Sequence, residues 1–236
     1  MKSAFERKER YDMEDLLAIV ALLRDPKDGC AWDKVQTHES IRKNFIEETY
    51  EVADAIDLQD SHLLCEELGD VLLQVALHSQ MEAEQGTFSF EDVCTGICKK
   101  LIYRHPHIFG DVQANDPDEA LRNWEALKRQ EKHRETLAAD LASIPQSFPA
   151  LMRAAKLSKR AAAHGKSRDL NEAMASLTQS VDKLCDSVQK EDRADVLNQL
   201  GSLLFDAADI GRQMNCDAEE ALEQANKRFL EKVSTD

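Results

Sequence analysis

Two short acidic segments hold the residues best suited to chemistry: Glu47-Glu48-Thr49-Tyr50-Glu51 and Glu67-Leu68-Gly69-Asp70. Glu48 and Glu51 stand three apart, as do Glu67 and Asp70, so each pair shares one face if its segment is helical. Fifteen residues lie between Glu51 and Glu67. That is enough to finish one helix, turn, and begin an antiparallel partner that sets the two pairs opposite each other. Four converging carboxylates repel one another and retain protons above their ordinary range. A hard divalent cation removes the repulsion, and all-oxygen ligation suits Mg²⁺ or Mn²⁺. Asp70 sharpens the case. It opens the run Val71-Leu72-Leu73-Gln74-Val75-Ala76-Leu77. So apolar a helix is expected to be largely buried, where a carboxylate without a partner is costly. The competing reading is a solvated acidic face, with Glu47, Glu48 and Glu51 paired to Arg42 and Lys43. The second acidic pair, set in an apolar run, favours the metal site.

The elements that must position these acids read as helices from end to end, with apolar residues recurring at i, i+3, i+4 and i+7. Met13, Leu16, Leu17, Val20 and Leu23 give a first helix, and Asp25 to Thr37 reads as a loop. Further helices are expected over about 39–58 and 61–84, the latter stopped by Gly86. Ser89 with Asp92 forms a capping box that opens a helix toward Tyr103. His105-Pro106-His107 breaks it, and its histidines read as a structural turn. Asp116, Pro117 and Glu119 supply an N-cap, a proline at N1 and an acid at N3, and start the helix that carries Trp124 and Lys128. After the proline-bearing stretch 140–149, helices are expected over about 150–164, 170–189, 192–214 and 217–233. No segment alternates as a strand would, and short connections between long helices favour antiparallel bundles.

Composition narrows the function. The chain of 236 residues is 42% hydrophobic, enough to pack a core. Only 8 Gly and 5 Pro occur, too few for the turns of a β-sandwich. A net charge of −15 without a basic block argues against binding a nucleic-acid polymer. No run approaches the roughly 20 apolar residues of a membrane span, and the charged stretch from Met1 to Tyr11 is unlike a signal peptide. The six cysteines form no C-x-x-C pair. Cys94 and Cys98 are expected as buried free thiols, and the reading is of a cytoplasmic protein. An internal duplication is also legible. Glu67-Leu68-Gly69-Asp70-Val71-Leu72-Leu73 matches Gln199-Leu200-Gly201-Ser202-Leu203-Leu204-Phe205, with both acids replaced by neutral residues.

At this point the chain resembles the MazG family of all-α nucleoside triphosphate pyrophosphohydrolases. The family pattern E-E-x-x-E, spacer, E-x-x-D is present as quoted. Gly29-Cys30-Ala31-Trp32-Asp33-Lys34 with Gln36-Thr37-His38 resembles its opening loop, with Ala31 where proline is usual. Arg104-His105-Pro106-His107-Ile108-Phe109, Trp124-Glu125 with Lys128, and Pro149-Ala150-Leu151-Met152-Arg153-Ala154 with Lys156 resemble three further segments. The resemblance implies two tandem helical repeats forming antiparallel bundles, in a homodimer: 1–139 catalytic, 140–149 linker, 150–236 a degenerate second repeat. It implies cleavage of nucleoside triphosphates to monophosphate and pyrophosphate with Mg²⁺, Mn²⁺ being the alternative cation. By the same resemblance Glu48, Glu51, Glu67 and Asp70 hold the metal, and Glu47 orients water or supports the ligands. Lys43, Lys100 and Arg104 take phosphate oxygens, the last two standing one helical turn apart. Trp124 stacks on the base or else anchors the core.

The second repeat departs from the pattern. Its acidic motif reads Thr178-Gln179-Ser180-Val181-Asp182 and its E-x-x-D reads Gln199-Leu200-Gly201-Ser202, leaving Asp182 as the one carboxylate. The family's last helix, with its Trp and Lys, has no counterpart. The second half is therefore expected to be structural rather than catalytic. The rival from another class is a non-catalytic nucleotide-sensing or helical interaction protein. A narrower enzyme acting on deoxy or damaged triphosphates would use the same carboxylates.

Overall fold

The computed structural model describes residues 5–114, 116–132 and 136–234. Among them every regular element is a helix. No described helix is long and apolar enough to cross a membrane. The chain forms two compact units, residues 1–113 and 114–236.

The first unit is built on a long helical hairpin. Helix α1 (Met13–Leu23) starts at Asp12, whose side chain accepts from Asp15 N at 3.0 Å. Helix α2 (His38–Asp57) starts at Thr37 in a reciprocal capping box with Ser40, and α3 (Ser61–Gln85) starts at Asp60. Each cap satisfies N–H groups that a helix's first turn leaves without partners. A three-residue turn joins α2 to α3, with Gln59 at φ 55°, so the two run antiparallel. Gly86 ends α3 at φ 71°, a left-handed position that glycine takes without strain. Helix α4 (Phe90–Arg104) begins at the Ser89–Asp92 box and packs on α3. His105 then ends it, its Nδ1 2.7 Å from the Leu101 carbonyl, and Pro106 starts the four-residue α5 (Pro106–Phe109).

Where α1 crosses the hairpin, Val20, Ile41, Ala76, Leu77 and Met81 form the core, with Leu16, Leu17 and Leu73 against it. Full burial of side chains such as Val20 and Ile41 contributes about 1.5–3 kcal/mol each. This corrects the expectation for Asp70, which is half-buried rather than buried. The core is centred on Leu77, seven residues and so about 10 Å further along the helix. Asp70 faces α2 beyond the cover that α1 provides. At the same end as the core, Arg24, only 7% exposed, clamps the unit. Its Nε and Nη2 donate to the two Glu84 oxygens at 2.8 Å each, and its Nη1 donates to the carbonyls of Asp33 and Gln36.

The second unit holds α6 (Pro117–Glu131), α7 (Leu137–Ala142), α8 (Ala150–Ala163), α9 (Leu170–Gln189), α10 (Arg193–Gln213) and α11 (Ala218–Ser234). Asp116 caps α6, accepting from Glu119 N at 2.7 Å. Helix α9 packs along α10, and α8 packs against α10, α7 and α11. The turn between α9 and α10 is again three residues with a left-handed centre, Glu191 at φ 55°, followed by an Asp cap. The two hairpins therefore close in the same way. Compactness divides the chain at 113/114, ahead of the stretch 140–149, and α7 runs into that stretch.

The cysteines are free, as expected, but they are not buried. Cys94 is half-buried, and Cys30, Cys65, Cys98, Cys185 and Cys216 are exposed. Helix α4 gives one face to α3, and Cys98 falls on another.

Candidate metal centre

Glu48 projects from α2, and Glu67 and Asp70 project from α3, a turn beyond the close-packed core. One carboxylate oxygen from each lies within 4.8 Å of the others, and all three side chains are half-buried. Glu51, one turn after Glu48, is exposed at the outer edge of the cluster but reaches both glutamates. Burial first, then repulsion from Asp70 and Glu51, pushes the Glu48 carboxyl above its ordinary range. Burial, then the charge of Glu51 and contact with it, does the same to Glu67. Two acids with raised affinity for protons, facing one another across a hairpin, form a locus short of positive charge. Arg42 and Lys43 do not supply it: among the described residues neither forms an ion pair with Glu47, Glu48 or Glu51. Oxygen-only ligands at this spacing fit a hard divalent cation, one shared ion or a close pair.

Other expected site residues take various positions. Glu47 and Lys43 are exposed on α2. Lys100 is half-buried on α4, and Arg104, one turn on, is 8% exposed. Trp124 is half-buried on α6, in the other compact unit, where it lines a cavity of its own.

At the sequence-matched positions of the second hairpin, Gln179, Gln199 and Ser202 line a cleft of about 560 Å³ in which no carboxylate cluster forms among the described residues. Two buried acids of α10, Asp206 in this cleft and Asp209 outside it, are already neutralised. Asp206 accepts from Arg168 Nη1 at 2.7 Å and from Ser176 Oγ at 2.8 Å. Asp209 accepts from Arg168 Nη2 at 3.1 Å and from Arg212 Nη2 at 2.8 Å. Burial alone would raise Asp209; the Ser158 hydroxyl and the two guanidinium groups hold it below its ordinary value instead. In this hairpin the buried acids are paired with guanidinium groups, whereas the carboxylates gathered in the first one have no such partner among the described residues. No local pattern announces this network, because Arg168 lies in a loop 38 residues from Asp206.

A second unforeseen cluster spans α2 and α3 near the core. His38 and His78 stack with rings 4.9 Å apart, Nδ1 to Nδ1 at 2.6 Å, and His38 Nε2 meets Glu82 at 2.7 Å. Burial, then the neighbouring His38, lowers the His78 pKa. The pair closes the hairpin at the end away from the acids.

An all-α protein whose hairpin gathers oxygen ligands at one point is thus defined, and comparison with known proteins gives it a family. The sequence pattern of the MazG nucleotide pyrophosphohydrolase domain matches residues 36–109, which include both acidic motifs. The nucleoside triphosphate pyrophosphohydrolase of Escherichia coli K12 is 40% identical over 220 residues, 92% of this chain and 84% of that protein. The nucleoside triphosphate pyrophosphohydrolase/pyrophosphatase MazG of Thermotoga maritima is 37% identical over 219 residues, 93% and 83% of the two chains. The nucleoside triphosphate pyrophosphohydrolase of Mycolicibacterium smegmatis is 34% identical over 203 residues, covering 85% of this chain and 59% of the relative. The chain belongs to the MazG nucleotide pyrophosphohydrolase family.

Proposed function

We propose that this chain hydrolyses nucleoside triphosphates to nucleoside monophosphate and pyrophosphate at the α2–α3 carboxylates, with Mg²⁺ as the working cation and Mn²⁺ able to replace it. The observation that carries the proposal is the convergence of Glu48, Glu67 and Asp70 oxygens within 4.8 Å across the hairpin. The activities for which the relatives are named support it. Glu48, Glu51, Glu67 and Asp70 would hold the cation. When bound, the cation polarises the phosphoryl group and lowers the pKa of a water. Glu47, exposed beside the cluster, would orient that water. Lys100 and Arg104, a turn apart on a helix packed against α3, would hold phosphate oxygens, and Lys43 would reach another phosphate. The balance is that of an anhydride hydrolysis. Water oxygen bonds to the α-phosphorus, the bond to the α–β bridging oxygen breaks, pyrophosphate leaves, and a proton passes to solvent. With Mg²⁺ and α-labelled triphosphate, the label should appear in monophosphate with one pyrophosphate per turnover. Label in diphosphate, with free phosphate, would remove the assignment.

The same reading includes a homodimer. Val93, Ile97 and Leu101 form an exposed apolar stripe at i, i+4, i+8 on α4, at 38%, 48% and 46% exposure. Tyr50 and Leu68, at 58% and 51%, stand beside the acids. A second copy would bury these surfaces next to the site. Sedimentation should give a dimer that Ile97→Glu converts to monomer; a wild-type monomer at all concentrations would end this part.

A further inference from the structure

We propose that Gln74 is a positioning residue of the carboxylate centre, its buried amide placed to hold Asp70 in the orientation that binds a cation. This rests on the reading of Glu48, Glu51, Glu67 and Asp70 as metal ligands, and adds to it a residue that is not itself a ligand. Gln74 interrupts the apolar run of α3. It is 6% exposed, and its Oε1 is buried with no hydrogen-bond partner among the described residues. A buried polar group left unsatisfied is costly, and a leucine or methionine would fill the volume without that cost. The fold nevertheless keeps an amide here.

Its place on α3 supplies the reason. Gln74 stands four residues after Asp70 and four before His78, so the three follow one another along a single helix face. Both neighbours meet α2. An Asp70 oxygen lies within 4.8 Å of one from Glu48, and the His78 ring lies 5.6 Å from that of Phe45. Gln74 is thus held in the seam between the two helices, one turn from the acids. Helical side chains lean toward the N-terminus of their helix, which carries the Gln74 amide toward Asp70. With no partner to hold Oε1, the amide is free to rotate and present its N–H groups to that carboxylate. When a cation takes one oxygen of Asp70, a Gln74 N–H donating to the other fixes the plane of the carboxylate. Partners of this kind orient metal ligands and raise affinity without touching the metal.

The second hairpin supplies an internal comparison. Residues 67–73 match 199–205, and the next pair in that register is Gln74 and Asp206. Asp206 is 4% exposed, and it accepts from Arg168, Ser176 and Ser180. Where the acids are gone, the matching position is satisfied from within the protein. Where they remain, it keeps an unpartnered atom one turn away from them.

Gln74→Met in the full chain makes the test, because methionine keeps most of the volume and removes the amide. Without metal, the variant should melt about 2–4 °C above the wild type, since a buried unsatisfied group has gone. Its Mg²⁺ dissociation constant, read from melting temperature against Mg²⁺ concentration in the absence of nucleotide, should rise about tenfold. The opposed signs separate positioning from a structural role. A residue that served the fold alone would lose stability on substitution and leave Mg²⁺ affinity as it was. A variant that melts below the wild type without metal, or that fails to fold, overturns the proposal, and so does an unchanged Mg²⁺ affinity. Glu67→Gln is the control on the underlying reading. If it binds Mg²⁺ as the wild type does, or if the wild type shows no Mg²⁺-dependent shift, the carboxylate assignment falls and this proposal with it. If Glu67→Gln loses the shift while Gln74→Met keeps it in full, the role of Gln74 alone falls.

Discussion

Glu67→Gln is expected to lower triphosphate turnover by about a thousandfold while making the metal-free protein slightly more heat-stable. The two effects have one cause. Burial and the Glu51 charge hold the Glu67 carboxyl above its ordinary value of 4.5, and Glu48 is raised by burial, Asp70 and Glu51. For groups whose folded value exceeds the unfolded one, the stabilising contribution is full below the unfolded value. It is lost as pH rises through the folded value. The metal-free protein therefore gives up stability from these acids on passing from the ordinary glutamate range to just above it. The amide of the variant keeps the shape and removes one of the repelling charges, so the neutral-pH melting temperature should rise. Mg²⁺ should stabilise the wild type at neutral pH by binding the folded state alone, and this shift should shrink or vanish in the variant. Melting curves against pH, with and without Mg²⁺, together with turnover, make the check. Wild-type turnover in Glu67→Gln would sink the ligand assignment. A lower metal-free melting temperature would show that Glu67 has a favourable partner instead.

Arg24→Met should destabilise the first unit by about 2–3 kcal/mol. Arg24 is 7% exposed, and its guanidinium serves Glu84 twice and two loop carbonyls besides. Methionine fills much of the volume but leaves those acceptors without a donor. Removing one partner of a fully buried pair costs about 3–5 kcal/mol. Glu84 is 36% exposed at its side chain, so water recovers part of the loss and the figure is set lower. The Arg24 hydrogen bond is also the first cause of the depressed Glu84 value. A depressed carboxyl contributes stability above the unfolded value and loses it as pH falls through the folded one. The wild type should therefore lose stability on the acid side of the carboxylate range, and Arg24→Met should lose less there. Urea unfolding at neutral and acid pH tests both statements. A change under about 1 kcal/mol at neutral pH would contradict the clamp.

The helices were legible because their signals are local. Ser89 and Asp116, read as caps from the sequence, each cap the helix that follows; the caps at Asp12, Thr37 and Asp60 emerged from the structure. Gly86 ends α3, and Pro106 starts a new helix after the break at His105. The acidic pairs were legible for the same reason, since a spacing of three puts two side chains on one helix face wherever the helix goes. The expectation of a buried Asp70 erred where local information ends. An apolar run says that a helix is covered, but not which turn lies under α1.

Sequence alone determined that this chain is all-helical, where most of its helices begin and end, that each acidic pair shares a helix face, and that Gln199-Leu200-Gly201-Ser202, similar to Glu67-Leu68-Gly69-Asp70, carries neutral residues in place of both acids. Tertiary structure decided the rest. It brought Glu48 within reach of Glu67 and Asp70, left their charge without a cationic partner among the described residues, and gave Asp206 and Asp209 the guanidinium of Arg168. It also drew Lys128, Arg129, Lys156 and Arg160 from separate helices around one cavity. The physical reason is range. Backbone capping and helical periodicity act over a few residues, whereas charge and burial depend on distances in space between residues tens of positions apart.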